Sequence, residues 1–284
     1  MKMQLLAIVS ALALSAGYAA ASDICLDDTN GDLFAGNPVT GIFTYIGTST
    51  RADIFDGFTD IDFTSNGNLY GLDHSGNLYI VNPNNGHITN GGSTNNSIGS
   101  TGVTNGSLVG LAGDNSGNLW AGGNNSIYTV NTSTGAATPV GTNTGTAYTV
   151  EGDLEFIGGT LYLTSTGDSG GDFYTVNTTT GVATFIGNTG FSSVYGVAYD
   201  TTNSTLYGFT ASGVEFQINP STGAGSNALT LTFTGGEDAV NGTSNQILGA
   251  AFGANPVPEP SSVVLLSIGL STMIAAAVRR IRRV

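Results

Sequence analysis

The sequence predicts an all-β fold closed into a ring, a five-bladed β-propeller. Three observations point there. A short phrase led by asparagine returns at intervals of 42 to 49 residues, the same pattern of alternating strands precedes it, and the two ends of the repeat region complement each other. Fixed periods of this length mark repeat architectures, and four short strands per unit of about 45 residues mark a propeller blade.

The phrase reads NPVTG from Asn37, NPNNG from Asn82, NTSTG from Asn131, NTTTG from Asn177 and NPSTG from Asn219. Asn-x-x-x-Gly reads as a hairpin loop, with glycine where φ is positive and Pro or Thr presetting the turn. Before it stand LYGLDHSGNLYIVN, LWAGGNNSIYTVN, LYLTSTGDSGGDFYTVN and LYGFTASGVEFQIN. These alternate aromatic or branched residues with polar ones and break at small turn residues, as antiparallel hairpins do. Further upstream lie FTDIDF, LVGLAG, EGDLEF and VYGVAY, the innermost strands. The first unit, ICLDDTNGDLFAGNPVTGIFTYIG, supplies three strands without an innermost one, and ILGAAFG (247–253) matches the missing piece. Pairing the two ends in one blade closes the ring and removes exposed edges. The alternative, a β-solenoid or open stack of hairpins, leaves those complementary ends unexplained.

Residues 1–21 have one lysine, an apolar run from Leu5 to Ala16, and Ala19 and Ala21 placed for a cut before Ser22. This reads as a secretory signal peptide, since the run is shorter than the roughly 20 residues of a span. The repeat body is 22–255. At the far end, 256–284, an apolar run from Val263 to Val278 is followed by Arg279, Arg280, Arg282 and Arg283. Such a cluster holds its end of a membrane helix on the cytoplasmic side, leaving the body outside.

Pro258, Glu259 and Pro260 stand just before that run. Triplet, apolar helix and arginine cluster in this order resemble the PEP-CTERM sorting signal of exopolysaccharide-producing Gram-negative bacteria. The resemblance implies recognition and cutting by a membrane exosortase, after which the body joins the envelope or the extracellular polymer. The tail is then an address, and the membrane a partner only until processing.

Composition bears on partners. The chain has six basic and 20 acidic residues, but between 22 and 255 only Arg51 is basic, against 19 acids, a net charge of −18. Such a body repels phosphate backbones and anionic headgroups, which excludes nucleic acid. Cys25 is the single cysteine, so no intrachain disulfide exists and the fold rests on its apolar core; its place in the repeat is expected opposite Gly71, as a buried thiol. Tyr70, Trp120, Tyr162 and Tyr207 share one strand position and read as packing between blades. His74 and His87 sit in turns with no metal-ligand spacing around them.

Aligned innermost strands carry Asp60, Gly110, Asp153, Gly196 and Gly249 at one position, and Asp62, Ala112, Glu155, Ala198 and Ala251 two residues on. Small residues suit a crowded axis, whereas two blades place a pair of acids there, both on one face. Four carboxylates converging would suit a hard cation, calcium above all. Paired carboxylates also carry glycoside hydrolysis, although no His or Arg accompanies them. The plain structural alternative is that they accept hydrogen bonds from backbone amides. A weaker calcium candidate is DDTNGD, with Asp28, Asn30 and Asp32, which lacks a distal bidentate Glu and reads first as an ordinary Asx-rich turn. TGDSGGDF, with Asp168 and Asp172, is similarly weak. The function expected is that of an exported, non-catalytic structural or adhesive protein of the envelope or matrix, requiring no cofactor, with exopolysaccharide as its partner. A polysaccharide-active enzyme and a protein-binding propeller are the alternatives.

Overall fold

The structure is a computed structural model that describes residues 24–49, 57–89, 97–103, 108–123, 125–141, 152–165, 171–235 and 246–253. The leader, the Pro258-Glu259-Pro260 triplet, the apolar run and the four terminal arginines lie outside the described residues, as does Asp168.

The described chain is all strand and turn. Blade 1 takes β1 (Ile24–Asp28), β2 (Asp32–Asn37) and β3 (Ile42–Thr48). Blade 2 is β4 (Phe58–Phe63), β5 (Leu69–Asp73), β6 (Asn77–Val81) and β7 (Gly99–Ser100). Blade 3 is β8 (Gly110–Gly113), β9 (Leu119–Gly123), β10 (Ser126–Val130) and β11 (Ala137–Pro139). Blade 4 is β12 (Leu154–Ile157), β13 (Thr160–Ser165), β14 (Asp172–Val176) and β15 (Ala183–Asn188). Blade 5 is β16 (Val194–Asp200), β17 (Thr205–Thr210), β18 (Val214–Ile218) and β19 (Gly225–Thr230). Two strands remain, β20 (Thr232–Thr234) and β21 (Ile247–Phe252).

As expected from the complementary ends, β21 completes blade 1 by pairing antiparallel with β1, Cys25 opposite Ala251 and Asp27 opposite Gly249. A second closure was not legible: β20 adds to the outer edge of the same blade, parallel to β3, so that blade 1 has five strands and the others four. The ring is thus latched at its axis and at its rim.

The recurring phrase forms the same turn in every blade. Each asparagine accepts the amide of the residue two ahead on Oδ1 at 2.8–2.9 Å. Its carbonyl accepts the amide of the glycine four ahead at 2.8–3.0 Å. Those glycines have φ of 64–78°, which explains their recurrence. The turns also dock between blades: a Cβ at Gly99 would run into the Thr134 carbonyl of blade 3, and one at Gly187 into the Thr222 carbonyl of blade 5.

Apolar residues gather in five clusters, one between each pair of neighbouring blades. Tyr70, Trp120, Tyr162 and Tyr207 fall in four of them, as packing residues. Cys25 requires a correction. It is buried as expected, at 2% exposure, but stands opposite Ala251 as Tyr70 stands opposite Asp62; it therefore replaces the tyrosine and does not match Gly71. The Leu-Asp-Asp run of blade 1 is shifted accordingly, with a consequence at the axis.

Candidate functional site: the acidic axis

The inner strands β21, β4, β8, β12 and β16 run in the same direction around the axis. Asp60 and Asp62 of β4 meet Leu111 and Gly113 of blade 3 in order, and Asp153 and Glu155 of β12 meet Val197 and Tyr199 of blade 5. Each acid points at the next blade and accepts one of its backbone amides: Leu111 N to Asp60 Oδ2 at 2.6 Å, Gly113 N to Asp62 Oδ2 at 2.6 Å, Val197 N to Asp153 Oδ2 at 2.6 Å and Tyr199 N to Glu155 Oε2 at 2.9 Å. The other oxygen of Asp60 accepts Ile61 N at 2.8 Å, and that of Asp153 accepts Leu154 N at 2.5 Å. These carboxylates therefore lace blade 2 to blade 3 and blade 4 to blade 5. The interfaces from blades 3, 5 and 1 to the next have Gly and Ala instead, which lets the inner strands approach closely; at Gly196 a Cβ would lie 2.8 Å from that of Ala250.

The acids also meet one another. Asp60 feels the charge of Asp153, and Asp62 that of Glu155. A fifth acid, Asp27, is at the same level as the first pair. It projects from β1 over Gly249, where any side chain would strike Asp60 and come within 2.6 Å of Asp27 Oδ1. Asp27 is 1% exposed, and its oxygens lie near the amides of Phe58 and of Asp27 itself without a well-formed hydrogen bond. The corresponding residues elsewhere are Leu72, Gly122, Thr164 and Phe209. The signal that identifies Asp27 is the Asp-Asp pair of ICLDD read in the register that Cys25 sets.

Burial is the largest cause of raised proton affinity at all five. It lifts Asp27, Asp60 and Asp62 well above the usual carboxylate range, with neighbouring charges adding to the rise. Asp153 is pushed up to about 7 and Glu155 to about 8, against the pull of their amide hydrogen bonds. A ring of this kind stores protons at neutral pH. Away from the axis Glu215, 3% exposed with Oε2 unpaired, is also pushed up by burial, to about 8.

The acids form two levels and already accept amides, and among the described residues no group of three His, Cys, Asp or Glu side chains is placed to hold a metal. In the DDTNGD turn, Asp28 Oδ1 accepts the amides of Asn30 and Asp32, both at 2.9 Å, which is an Asx turn. Asp73 makes the same turn with Ser75 and Asn77, and Asp114 with Ser116 and Asn118. Asp32 accepts the hydroxyl of Thr48, and Asp172 the side chains of Tyr174 and Asn188.

Two cavities of about 300 Å³ open at the ends of the axis. One, at the C-terminal ends of the inner strands, is lined by Asp62 and Glu155 with Phe63, Phe156, Tyr199 and Phe252. The other is lined by Thr59, His74, Val109, Tyr195, Gln246 and Leu248. His87 lies apart, just beyond the Asn82 turn.

Among solved structures, a crystal structure of a nidogen/laminin complex is 11% identical over 81% of this chain and 98% of that chain, with a TM-score of 0.49. The computationally designed Ika8 protein is 13% identical over 81% and 69%, at 0.38, and a structure of the Dos1 propeller 10% over 76% and 65%, at 0.40. The assignment of five blades rests on the sheets of this chain itself. No curated protein matches it. The family model for the PEP-CTERM protein-sorting motif matches residues 256–283, which implies recognition by an exosortase and export to the cell envelope. The chain is a five-bladed propeller that carries the PEP-CTERM protein-sorting motif behind its closing strand.

Proposed function

We propose that this chain is a non-catalytic structural or adhesive protein of the envelope or exopolysaccharide matrix of a Gram-negative bacterium. It is exported behind its N-terminal leader and held in the inner membrane by Val263–Val278 with the arginines inside. An exosortase then releases it near Pro258-Glu259-Pro260. The sorting motif supports the route. The observation that carries the non-catalytic part is that all four inner-strand acids of blades 2 and 4 accept amides of the neighbouring blade, a use that holds the ring together. Polar turns rich in Asn, Thr and Ser offer hydrogen-bonding groups to glycans, while the negative body keeps the protein soluble outside the cell.

One observation favours an enzyme as the second reading: Asp62 and Glu155 line an open cavity, and burial keeps a proton on Glu155 up to about pH 8. A single experiment separates the two. Processed protein is co-sedimented with exopolysaccharide, and reducing ends are measured in the same samples. Binding without release of reducing ends is expected. Sustained release that Glu155→Gln abolishes would establish the enzyme instead, and absence of binding to every polymer tried would remove the adhesive role.

A further inference from the structure

The five blades do not hold their inner strands alike. In blades 2 to 5 a short turn joins the inner strand to the next strand of the same blade. In blade 1 the inner strand β21 and its partner β1 come from opposite ends of the repeat body and are held by pairing alone. That ladder shifts register between Asp27 and Asp28. Three of the six residues of β21 are Gly249, Ala250 and Ala251, so the strand brings little apolar area to its own retention. We infer that this closure is a pH-sensitive latch, in which ionisation of Asp27 releases β21 from β1 while the other blades stay paired.

Asp27 stands in the seam over Gly249, 1% exposed, and neither of its carboxyl oxygens has a well-formed hydrogen bond. Asp60 and Asp153 differ from it in this respect. Asp60 accepts the amides of Ile61 and Leu111, and Asp153 those of Leu154 and Val197, one on each oxygen. Those two carboxylates can carry charge against amide dipoles, and Asp27 has none so placed.

The groups that face Asp27 are acids: Asp28 on its own strand, Asp60 on β4 and Asp153 on β12. Asp62 and Glu155 lie one level further along the same two strands. β21 has no titratable side chain, and β2 has Asp32, which accepts the Thr48 hydroxyl. β16 has Tyr195, Tyr199 and Asp200, the last accepting the amides of Thr202 and Asn203. Among the described residues there is no Lys or Arg, and both histidines are exposed turn residues. An anion formed at Asp27 therefore meets like charges and no counter-charge. Hydration relieves it, and parting β21 from β1 supplies the water.

The sign follows from the proton. Burial raises the affinity of Asp27 for it in the closed ring, and an opened, hydrated Asp27 releases it. Closure is therefore firmest at acid pH and weakens as pH rises above the ordinary carboxylate range. One proton lost on opening lets the open population grow by up to about tenfold per pH unit. The strand so released leads to the sorting motif, since Pro258 follows Gly253 by five residues. The latch thereby sets how much chain ahead of that motif the ring holds.

Hydrogen–deuterium exchange of the full-length chain in detergent micelles tests this, on wild type and Asp27→Asn. It is run at about pH 5.5, 7 and 8.5, with rates corrected for the intrinsic pH dependence of exchange. The reference strands are β9 and β10 of blade 3, whose inner strand carries no acid. Across this range wild-type protection of β1 and β21 should fall at least about tenfold further than that of the reference strands. In Asp27→Asn it should fall no further than theirs. Equal loss in seam and reference strands would make the opening global, and an undiminished fall in Asp27→Asn would assign it to another group. Either result overturns the latch, as does a wild-type seam whose protection stays constant. Thr164 holds the equivalent place in blade 4, so Asp27→Thr serves if Asp27→Asn does not fold. If neither folds, Asp27 is a fixed support of the core and the latch is overturned.

Discussion

Raising the pH from 5.5 to 9 should destabilise the propeller, because its axis holds protons that the unfolded chain releases. Asp153 ionises at about 7 in the folded ring and Glu155 at about 8, against 3.8 and 4.5 for ordinary Asp and Glu. With folded values raised, the folded state binds more protons, so the stability these groups contribute is complete below about pH 4. It is lost as pH climbs through 7 and 8. Each pKa unit corresponds to about 1.4 kcal/mol. Between pH 5.5 and 7 Asp153 therefore loses about 2 kcal/mol, and between 5.5 and 8 Glu155 loses about 3 kcal/mol. A sum near 5 kcal/mol in a body of this size is a fall in Tm of about 10–20 °C. Surface carboxylates are already ionised at pH 5.5 and add little to the slope. The assay is thermal unfolding by circular dichroism across that range, on wild type and on Asp153→Asn/Glu155→Gln. The double variant should be less stable at pH 5.5, since an amide nitrogen replaces one acceptor oxygen at each site, yet fall less steeply. A wild-type Tm that is flat or rises towards pH 9 would refute protonated carboxyls at the axis.

Other consequences are as direct. Gly249→Ala places a methyl against Asp60, Asp27 and the Ile61 amide at the ring closure, and should cost about 1–3 kcal/mol in denaturant unfolding. Ending the chain after Gly235 removes β21 and leaves β1 and the axis uncovered; loss of the cooperative transition is expected, whereas a chain ending at Asn255 should retain it. Calcium against chelator should leave the Tm of wild type and of Asp60→Asn/Asp153→Asn unmoved, because the axial oxygens already serve amides; a calcium-dependent rise lost in the double variant would make the axis a cation site. Cys25 should react with a thiol reagent only on unfolding, as its burial implies.

What the sequence determined by itself is local or periodic. The Asn-led turns follow from an Asx bond two residues ahead and a glycine of positive φ four ahead, both inside one pentapeptide. Strand alternation, the repeat, the missing strand of the first unit and its counterpart at 247–253 follow from period and pattern. So does the sorting tail, whose three parts are contiguous. The acid pairs on β4 and β12 were also visible, because a two-residue spacing puts them on one face whatever the fold.

Only the tertiary structure decided what those acids face. The amides that donate to them lie 44 or 51 residues along the chain, on a neighbouring blade, and nothing near Asp60 in sequence distinguishes an amide from an ion as its partner. The position of Asp27 needed the register of β1 on β21, which a misplaced Cys25 conceals: one residue of slip sends a side chain to the other face. The latch β20 is three residues long and pairs through its backbone, so its side chains give little sign of it. Short-range hydrogen bonding and hydrophobic period are written residue by residue. The relation between blades exists only once the ring has closed, and the partners and proton affinity of the axial acids are set there.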